Sequence, residues 1–544
     1  MAHDALIVGG GMAGLTAAAY LCKAGLKTTL LEKEANVGGL VNSFSRGGFT
    51  FDGGIRAIEN SGIVVPMLRQ LGVEVEFLPS AVSVGFGKDV VRLASGDSLR
   101  DYGELVCRMF PEDRADVEAI IGEVAKVMEY MDVLYGIDNP LFLDLKNNPR
   151  YVFRTILPWM LKYIRTMPKL GKLMLPVDEY LATFTDNQSL IDMFAQHFFR
   201  KTPAYFALSY FSLYLDYKYP KGGTGALPAG LESFILAHGG EILRGTEVVS
   251  VDPAARTATD SRGVKHSYGK LLWAADCRAL YRSLDMKAIQ AGAFPAACVR
   301  GIEGKAAQVA DKRGGDSIFT LNLAVNLPPE YFSGIASAHF FYTPNQRGLS
   351  AAPLAELDDR AANGASIGRT RDKERLFRWL GDYLDLTTYE ISCPVLRDPG
   401  LAPKGQSGLI ISSLFDYSMT RHFRDAGWYE EFREFCAIRI VEILDIAIFP
   451  GLKKSVLDSF TSTPLTIEKI TGNTDGAITG WAFTNDPIPA VSKLPMVARS
   501  VLTPIPDVLQ AGQWSFSPSG LPISILTGKL AADRILKTLR KRPR

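Results

Sequence analysis

The stretch DALIVGGGMAGLTAAAYLCKAGLKTTLLEKE, at the start of the chain, constrains the fold more than any other segment. Ala5 to Val8 is an apolar run of strand length, and Gly9, Gly11 and Gly14 follow it as G-x-G-x-x-G. Small residues from Thr16 to Lys23 predict a closely packed helix, and Lys27 to Leu31 predicts a second strand that ends at Glu32. Each position has a mechanical reason. Gly9 permits the tight turn, Gly11 lets a pyrophosphate approach the backbone, and Gly14 lets helix and strand pack closely. Met12 and Ala13 follow the turn, where free N–H groups and partial positive charge favour phosphate. Glu32 stands near the spacing of about 20 residues at which a carboxylate accepts from ribose hydroxyls. The pattern predicts a dinucleotide-binding unit, and the acid disfavours the 2′-phosphate of NADP.

Composition narrows the classes. At roughly 150 residues per unit, 544 residues allow three or four folding units, or two large ones. With 47% hydrophobic and 22% charged residues there is material for a core. A net charge of +2 argues against a dedicated nucleic-acid binder. The six cysteines (Cys22, Cys107, Cys277, Cys298, Cys393, Cys436) contain no C-x-x-C pair, so neither a zinc site nor a redox dithiol is indicated. The histidines form no metal spacing, and no metal is expected. The N-terminus lacks a basic n-region and a cleavage pattern, and reads as folded structure. No uncharged apolar run reaches 18 residues, so no membrane-spanning helix is expected. Scattered, reduced thiols suit a cytoplasmic location.

The segment EKEANVGGLVNSFSRGGFTFDGG follows directly, with Gly38 and Gly39 just beyond Glu32 and then GFTFDGGIRAI. Here the chain resembles the FAD-dependent phytoene desaturase, carotenoid isomerase and retinol saturase family, within the amine-oxidase-like flavoprotein superfamily. YPKGGTGALPAGLESF, the GGEI that follows it, KLLWAAD, TSTPLTIEKITGNTDGAITGW (by resemblance a Thr-Pro followed by Gly-rich strands) and DVLQAGQW extend the resemblance to the middle and end. It implies FAD as cofactor. It also implies contacts from Lys33 beside Glu32, from Gly38 and Gly39 along the diphosphate and ribityl chain, and from Gly54 and Ile55. The Val248 backbone is expected at the adenine, and Gly512 and Gln513 on the final strand. Gly520, Leu521, Pro522 and Ile523 are expected to open the last helix toward the flavin pyrimidine edge. Leu40 stands where many members carry Arg or Cys. Arg56 occupies a position that is often His in the saturase-like branch, and Arg56 and Glu59 are the candidate catalytic groups. Asp52 reads as a turn or ribityl-contact residue rather than a base. No second G-x-G-x-x-G follows a strand, which disfavours a paired NADPH domain.

The expected fold is α/β. A Rossmann-like FAD-binding domain is assembled from discontinuous segments (1–100, 218–285 and 466–544). A helical, membrane-facing insertion spans 101–217, and an α+β substrate-binding domain spans 286–465. Residues 60–100 read as connecting strands. Val117, Ile120, Ile121, Val124, Val127 and Met128 recur at helical spacing. Residues 145–177 carry seven cations and no acid. Lys162, Arg165, Lys169 and Lys172 give one basic face among apolar and interfacial residues, which reads either as a peripheral membrane contact or as a solvated face. FFRKTPAYFALSYFSLYLDY reads as plain core or as a tunnel wall.

The resemblance implies a hydrophobic polyene or isoprenoid substrate, such as a carotenoid or retinoid, whose C=C bonds are made, removed or isomerised. At about 0.8 kcal/mol per methylene, some 16 groups hold such a molecule in lipid by roughly 13 kcal/mol, so collection from a membrane is favoured over passage through water. Rival readings are an amine oxidase on the same fold and a non-enzymatic prenyl-lipid carrier. Oxygen, a quinone or a separate reductase all suit as electron partner.

Overall fold

Strand His3–Val8 is apolar and buried over its last four residues, as a central parallel strand with both faces covered must be. It pairs in parallel with Lys265–Trp273 on one side and with Thr28–Leu31 on the other. The first neighbour pairs in parallel with Val508–Gln510, the second with Glu241–Leu243. One five-stranded parallel layer therefore draws on the start, middle and end of the chain. A hairpin of Val248–Asp252 and Thr257–Asp260 pairs antiparallel with the first half of Lys265–Trp273. The computed structural model describes residues 3–145, 147–360 and 366–540.

Helix Met12–Lys23 packs on this sheet between helices Ala226–Ala237 and Leu521–Arg540. Small side chains make the close approach possible, with Ala17, Ala18 and Ala19 fully buried. A Cβ on Gly14 would lie 2.0 Å from the Gly9 carbonyl oxygen, and one on Gly528 would lie 2.4 Å from that of Ala13. These two glycines set the helix–turn and helix–helix distances.

The second sheet runs in the order 456–462, 317–325, 407–415, 389–392, 339–343, 82–86, 89–93. Its period-2 alternation separates two faces. Phe340, Tyr342, Tyr389 and Ile391 enter a core with helices Lys373–Leu386 and Tyr429–Ala447, while His339, Phe341 and Glu390 line a cavity. Helices Ser98–Met109, Arg114–Tyr135, Gln188–Ala195 and Ala204–Leu215 form a third unit, and Val117, Ile120, Val124 and Val127 fill its core.

Two expectations change. Residues 60–100 contain a helix, Val64–Leu71, and the strands at 82–86 and 89–93 join the second sheet rather than the cofactor-binding layer. The TSTPLTIEKITG segment is a helix, Pro464–Thr471, rather than strands. Thr463 caps it in a capping box with Thr466, and Pro464 suits the first turn. Pro158 and Pro168 interrupt residues 145–177, which form no continuous helix. A π-turn at Val152–Ile156 precedes helix Leu157–Thr166, because Pro158 lacks the N–H that would continue the ladder. The basic face is accordingly shorter. Arg154, Lys162, Arg165 and Lys169 are exposed. The Lys172 side chain, Lys146 and the last four residues of the C-terminal basic cluster lie outside what is described.

Candidate active site

A single cavity of about 1740 Å³ runs between the two sheets and the helical unit. Pockets of about 300–1,000 Å³ hold one drug-sized ligand, so this one has room for a dinucleotide and a second molecule. Gly9, Gly11, Met12 and Ala13 line one end. Gly9 has φ +103°, which only glycine adopts freely, and its Cβ would strike the Ala274 carbonyl. A Cβ on Gly11 would meet nothing within 4 Å, so the space above it is open at the N-terminus of a twelve-residue helix. Gly38 and Gly39 close over this turn, with Gly38 N–H donating to the Gly10 carbonyl at 2.8 Å. The Glu32 carboxylate accepts from Gly10 N–H at 2.6 Å and Glu34 N–H at 2.9 Å. These bonds orient it at the cavity edge with lone pairs to spare for hydroxyl donors.

Gly54 and Ile55 lie farther along the wall, where Ile55 N–H donates to the Leu40 carbonyl at 3.1 Å. Gly512, at φ +95°, is fixed by its N–H donating to Thr527 Oγ1 at 2.9 Å. It lines the cavity with Gln513 and with Gly520, Leu521, Pro522 and Ile523 at the start of the terminal helix. An open glycine cradle, a ribose-type carboxylate and two helix N-termini on one cavity fit FAD. Three expected residues lie elsewhere. Gly14 is packed beneath the turn and acts sterically. Lys33 reaches away to the Lys469 carbonyl at 2.7 Å and pairs with Glu34 at 3.1 Å. Val248 starts the antiparallel hairpin and does not line the cavity.

Polar groups gather beyond Gly54. Arg56 is buried, donating to Ser412 Oγ at 2.7 Å and to the Asp52 carbonyl at 3.4 Å. Asp52 does not line the cavity. Its carboxylate accepts from Ser43 Oγ, Tyr219 Oη, Thr224 N and Thr224 Oγ1 at 2.7–2.9 Å, so it serves as an internal junction and not as a ribityl contact. Glu59 lines the cavity with no protein partner among the described residues. Burial, and secondarily the Asp216 charge, push its carboxyl up to about 7.

Sequence reading missed the opposite wall. His339 Nε2 lies 3.0 Å from Glu390 Oε1, and both side chains line the cavity. Burial alone would raise the Glu390 carboxyl, but His339, Arg56 and Arg397 outweigh it and hold it below its usual range. Burial lowers the pKa of His339 and pushes His197 down to about 4. Rings continue the wall. Tyr217–His339, His339–Phe341 and Tyr214–Phe341 have centroids 5.2, 5.0 and 4.9 Å apart. The aromatic segment 198–217 divides between the two expected roles, with Phe206, Tyr210 and Tyr217 on the cavity and Leu208 and Phe211 in the helical core. The signal available beforehand was a charged or ionisable residue at alternate positions of an apolar strand, in HFFYT and YEIS. Among the described residues, no cluster of three or more His, Cys, Asp or Glu is placed to hold a metal.

The sequence profile of the flavin containing amine oxidoreductases matches residues 12–286. The chain belongs to that family. It is an FAD-dependent oxidoreductase. Among curated relatives, an inactive all-trans-retinol 13,14-reductase from Danio rerio is 27% identical over 262 residues, which is 44% of this chain and 41% of that protein. A lycopene-forming phytoene desaturase from Pseudescherichia vulneris is 24% identical over 98% of this chain and 99% of its own length. A chloroplastic prolycopene isomerase from an Oncidium hybrid cultivar is 22% identical over 87% of this chain and 74% of its own length. The fold matches an oxidoreductase from Methanosarcina mazei with TM-score 0.59 and 14% identity, over 98% of this chain and 99% of that one. A redesigned putrescine oxidase matches with TM-score 0.60 and 13% identity over the same shares.

Proposed function

We propose that this flavoprotein desaturates, saturates or isomerises C=C bonds of a hydrophobic isoprenoid or polyene taken from a membrane surface. The observation that carries this reading is the continuity between the cavity and an exposed apolar surface. Trp159 and Tyr163 line the cavity from one side of helix 157–166, at i, i+4 spacing, and Met167 continues that wall from the turn that follows. Leu161 and Ile164 on that helix and Phe153 in the preceding turn are 59–69% exposed. Leu141, Met160, Met174, Leu494 and Met496 line the cavity and are also exposed, which marks an apolar mouth. Arg154, Lys162, Arg165 and Lys169 rim the exposed face. Among the described residues no helix is long and apolar enough to cross a membrane, so contact through this face is peripheral. At about 1 kcal/mol per cation near an anionic surface, replacing Lys162 and Arg165 by Gln is expected to cut partitioning onto phosphatidylserine-containing vesicles by about thirtyfold, measured by flotation. Unchanged flotation would remove the membrane contact from this reading.

Bound FAD supplies hydride transfer at its ring. The protein's part is to align a long apolar molecule along Phe206, Tyr210, Tyr214 and Phe341, to exclude water, and to hold a proton where the chain of carbons passes. Glu59 suits the last task, because a general acid works best with a pKa near the working pH. Asp216, Tyr214 and Tyr217 are the ionisable groups facing it. Its carboxyl is protonated below about 7 and ionised above. Turnover that uses this proton falls as pH rises through about 7, and Glu59→Gln flattens the profile while lowering the rate.

The deciding assay incubates oxidised and reduced protein with a panel of carotenoids and retinoids and reads product mass. A two-hydrogen loss or gain gives the direction, and an unchanged mass with a new retention time gives isomerisation. Peroxide release with amines, and no conversion of any polyene, would overturn the reading in favour of amine oxidation.

A further inference from the structure

The cavity is apolar along most of its length, yet one part of it is polar in a way its own protein contacts do not account for. Glu59, Tyr217, His339 and Glu390 all face it. The Tyr217 and His339 rings are 5.2 Å apart, His339 touches Glu390 at 3.0 Å, and Tyr217 lies within electrostatic reach of both Glu59 and Glu390. Glu59 has no partner among the described residues, His339 Nδ1 is buried without one, and so is the Oγ of Ser413, another lining residue. The Phe341 ring packs 5.0 Å from that of His339, and the Tyr214 ring 5.6 Å from that of Tyr217. A pure hydrocarbon drawn past these atoms would strip them of water and return no hydrogen bond. Sites built around unsatisfied polar groups discriminate strongly for ligands that satisfy them.

We infer that Glu59, Tyr217, His339 and Glu390 form a subsite for a hydroxyl or carbonyl oxygen, so that the substrate is an oxygenated isoprenoid. The inference rests on the isoprenoid reading above and narrows it. An alcohol O–H donates to a carboxylate oxygen here, and its oxygen accepts from the Tyr217 hydroxyl. A carbonyl uses only the donors, including protonated Glu59. The fixed negative charge of Glu390 repels a carboxylate-ended ligand, so the polar group is neutral.

The test uses the FAD-loaded full chain and two matched pairs: all-trans-retinol against the same polyene with a methyl in place of its hydroxymethyl group, and zeaxanthin against β-carotene. Binding is followed by perturbation of the flavin absorbance and by polyene fluorescence or absorbance. The oxygenated member of at least one pair is expected to bind about tenfold more tightly or better. Tyr217→Phe and Glu59→Leu should each bring that ratio to within about twofold, with FAD content unchanged. Tyr217→Phe removes one oxygen atom only, and so stands as the informative variant if Glu59→Leu fails to fold. Equal binding within both pairs, or a preference that neither variant alters, overturns the inference and leaves the isoprenoid reading in place. Binding of none of the four molecules overturns both.

Discussion

Gly11→Val is expected to give a folded, colourless protein. A Cβ at this position would meet no non-neighbouring protein atom within 4 Å, so the apoprotein has open space where the side chain begins. It fills the space above the N-terminus of helix 12–23, where a diphosphate bound to the free N–H groups would lie. Losing two charge-assisted hydrogen bonds at about 1.5–3 kcal/mol each weakens FAD binding by about two to four decades. The readouts are absorbance near 450 nm, which should vanish after gel filtration, and far-UV circular dichroism, which should not change. Gly14→Ala is the contrasting control. Its Cβ would sit 2.0 Å from the Gly9 carbonyl oxygen, so it displaces the turn itself and lowers the yield of folded protein. If Gly11→Val retained FAD at the wild-type level, the cradle would not be the phosphate site.

The second large effect is one of stability. Asp52→Ala removes the acceptor shared by Ser43, Tyr219 and both Thr224 donors, all in the interior. It also removes a negative charge that partners the buried Arg56 and Arg397. Breaking a buried charge network by deleting one member costs about 3–5 kcal/mol. The consequence extends beyond stability, because Asp52 joins the 43–52 hairpin to the 219–224 segment and so fixes the turn that carries Gly54, Arg56 and Glu59. Denaturant unfolding of the FAD-loaded protein is expected to shift by that amount. Asp52→Asn, which keeps one acceptor oxygen, should fall between. A shift below about 1 kcal/mol for the alanine variant would show that water replaces the carboxylate at no structural cost.

The cofactor end of the site was legible in the sequence because its chemistry is written in backbone geometry. Positive φ at Gly9, Gly38 and Gly512 and close approach at Gly14 demand glycine whatever surrounds them. Glycine at fixed offsets between strand and helix patterns is visible without a structure. Lys33 and Val248 illustrate the limit of that reading. A neighbouring residue shares the motif, yet its side chain follows local opportunity: Lys33 finds the Lys469 carbonyl, and Val248 opens a hairpin. The opposite wall was hidden for a different reason. His339 and Glu390 meet only because strands 339–343 and 389–392 pair in one register, His339 opposite Ser392 and Phe341 opposite Glu390. Each looks locally like an interruption in an apolar strand. The placement of strands 82–93 depends likewise on a parallel pairing across some 250 residues, which local pattern does not encode.

The parallel layer built from distant segments also has a consequence for biosynthesis. Strand 265–273 has its hydrogen-bonding edge ready for 508–510, yet more than 200 residues must be made between them. At about 5–20 residues per second, that edge waits for roughly 10–50 s. During that interval the nascent chain presents an unpaired apolar strand, the kind of edge that recruits wrong partners. Helix 12–23 also lacks the partner that Gly528 brings to it. The nucleotide therefore cannot be fully enclosed while most of the chain is being translated. Loading is then expected among the last events of maturation, and free FAD during expression is expected to raise the yield of soluble protein by capturing the chain at that late step.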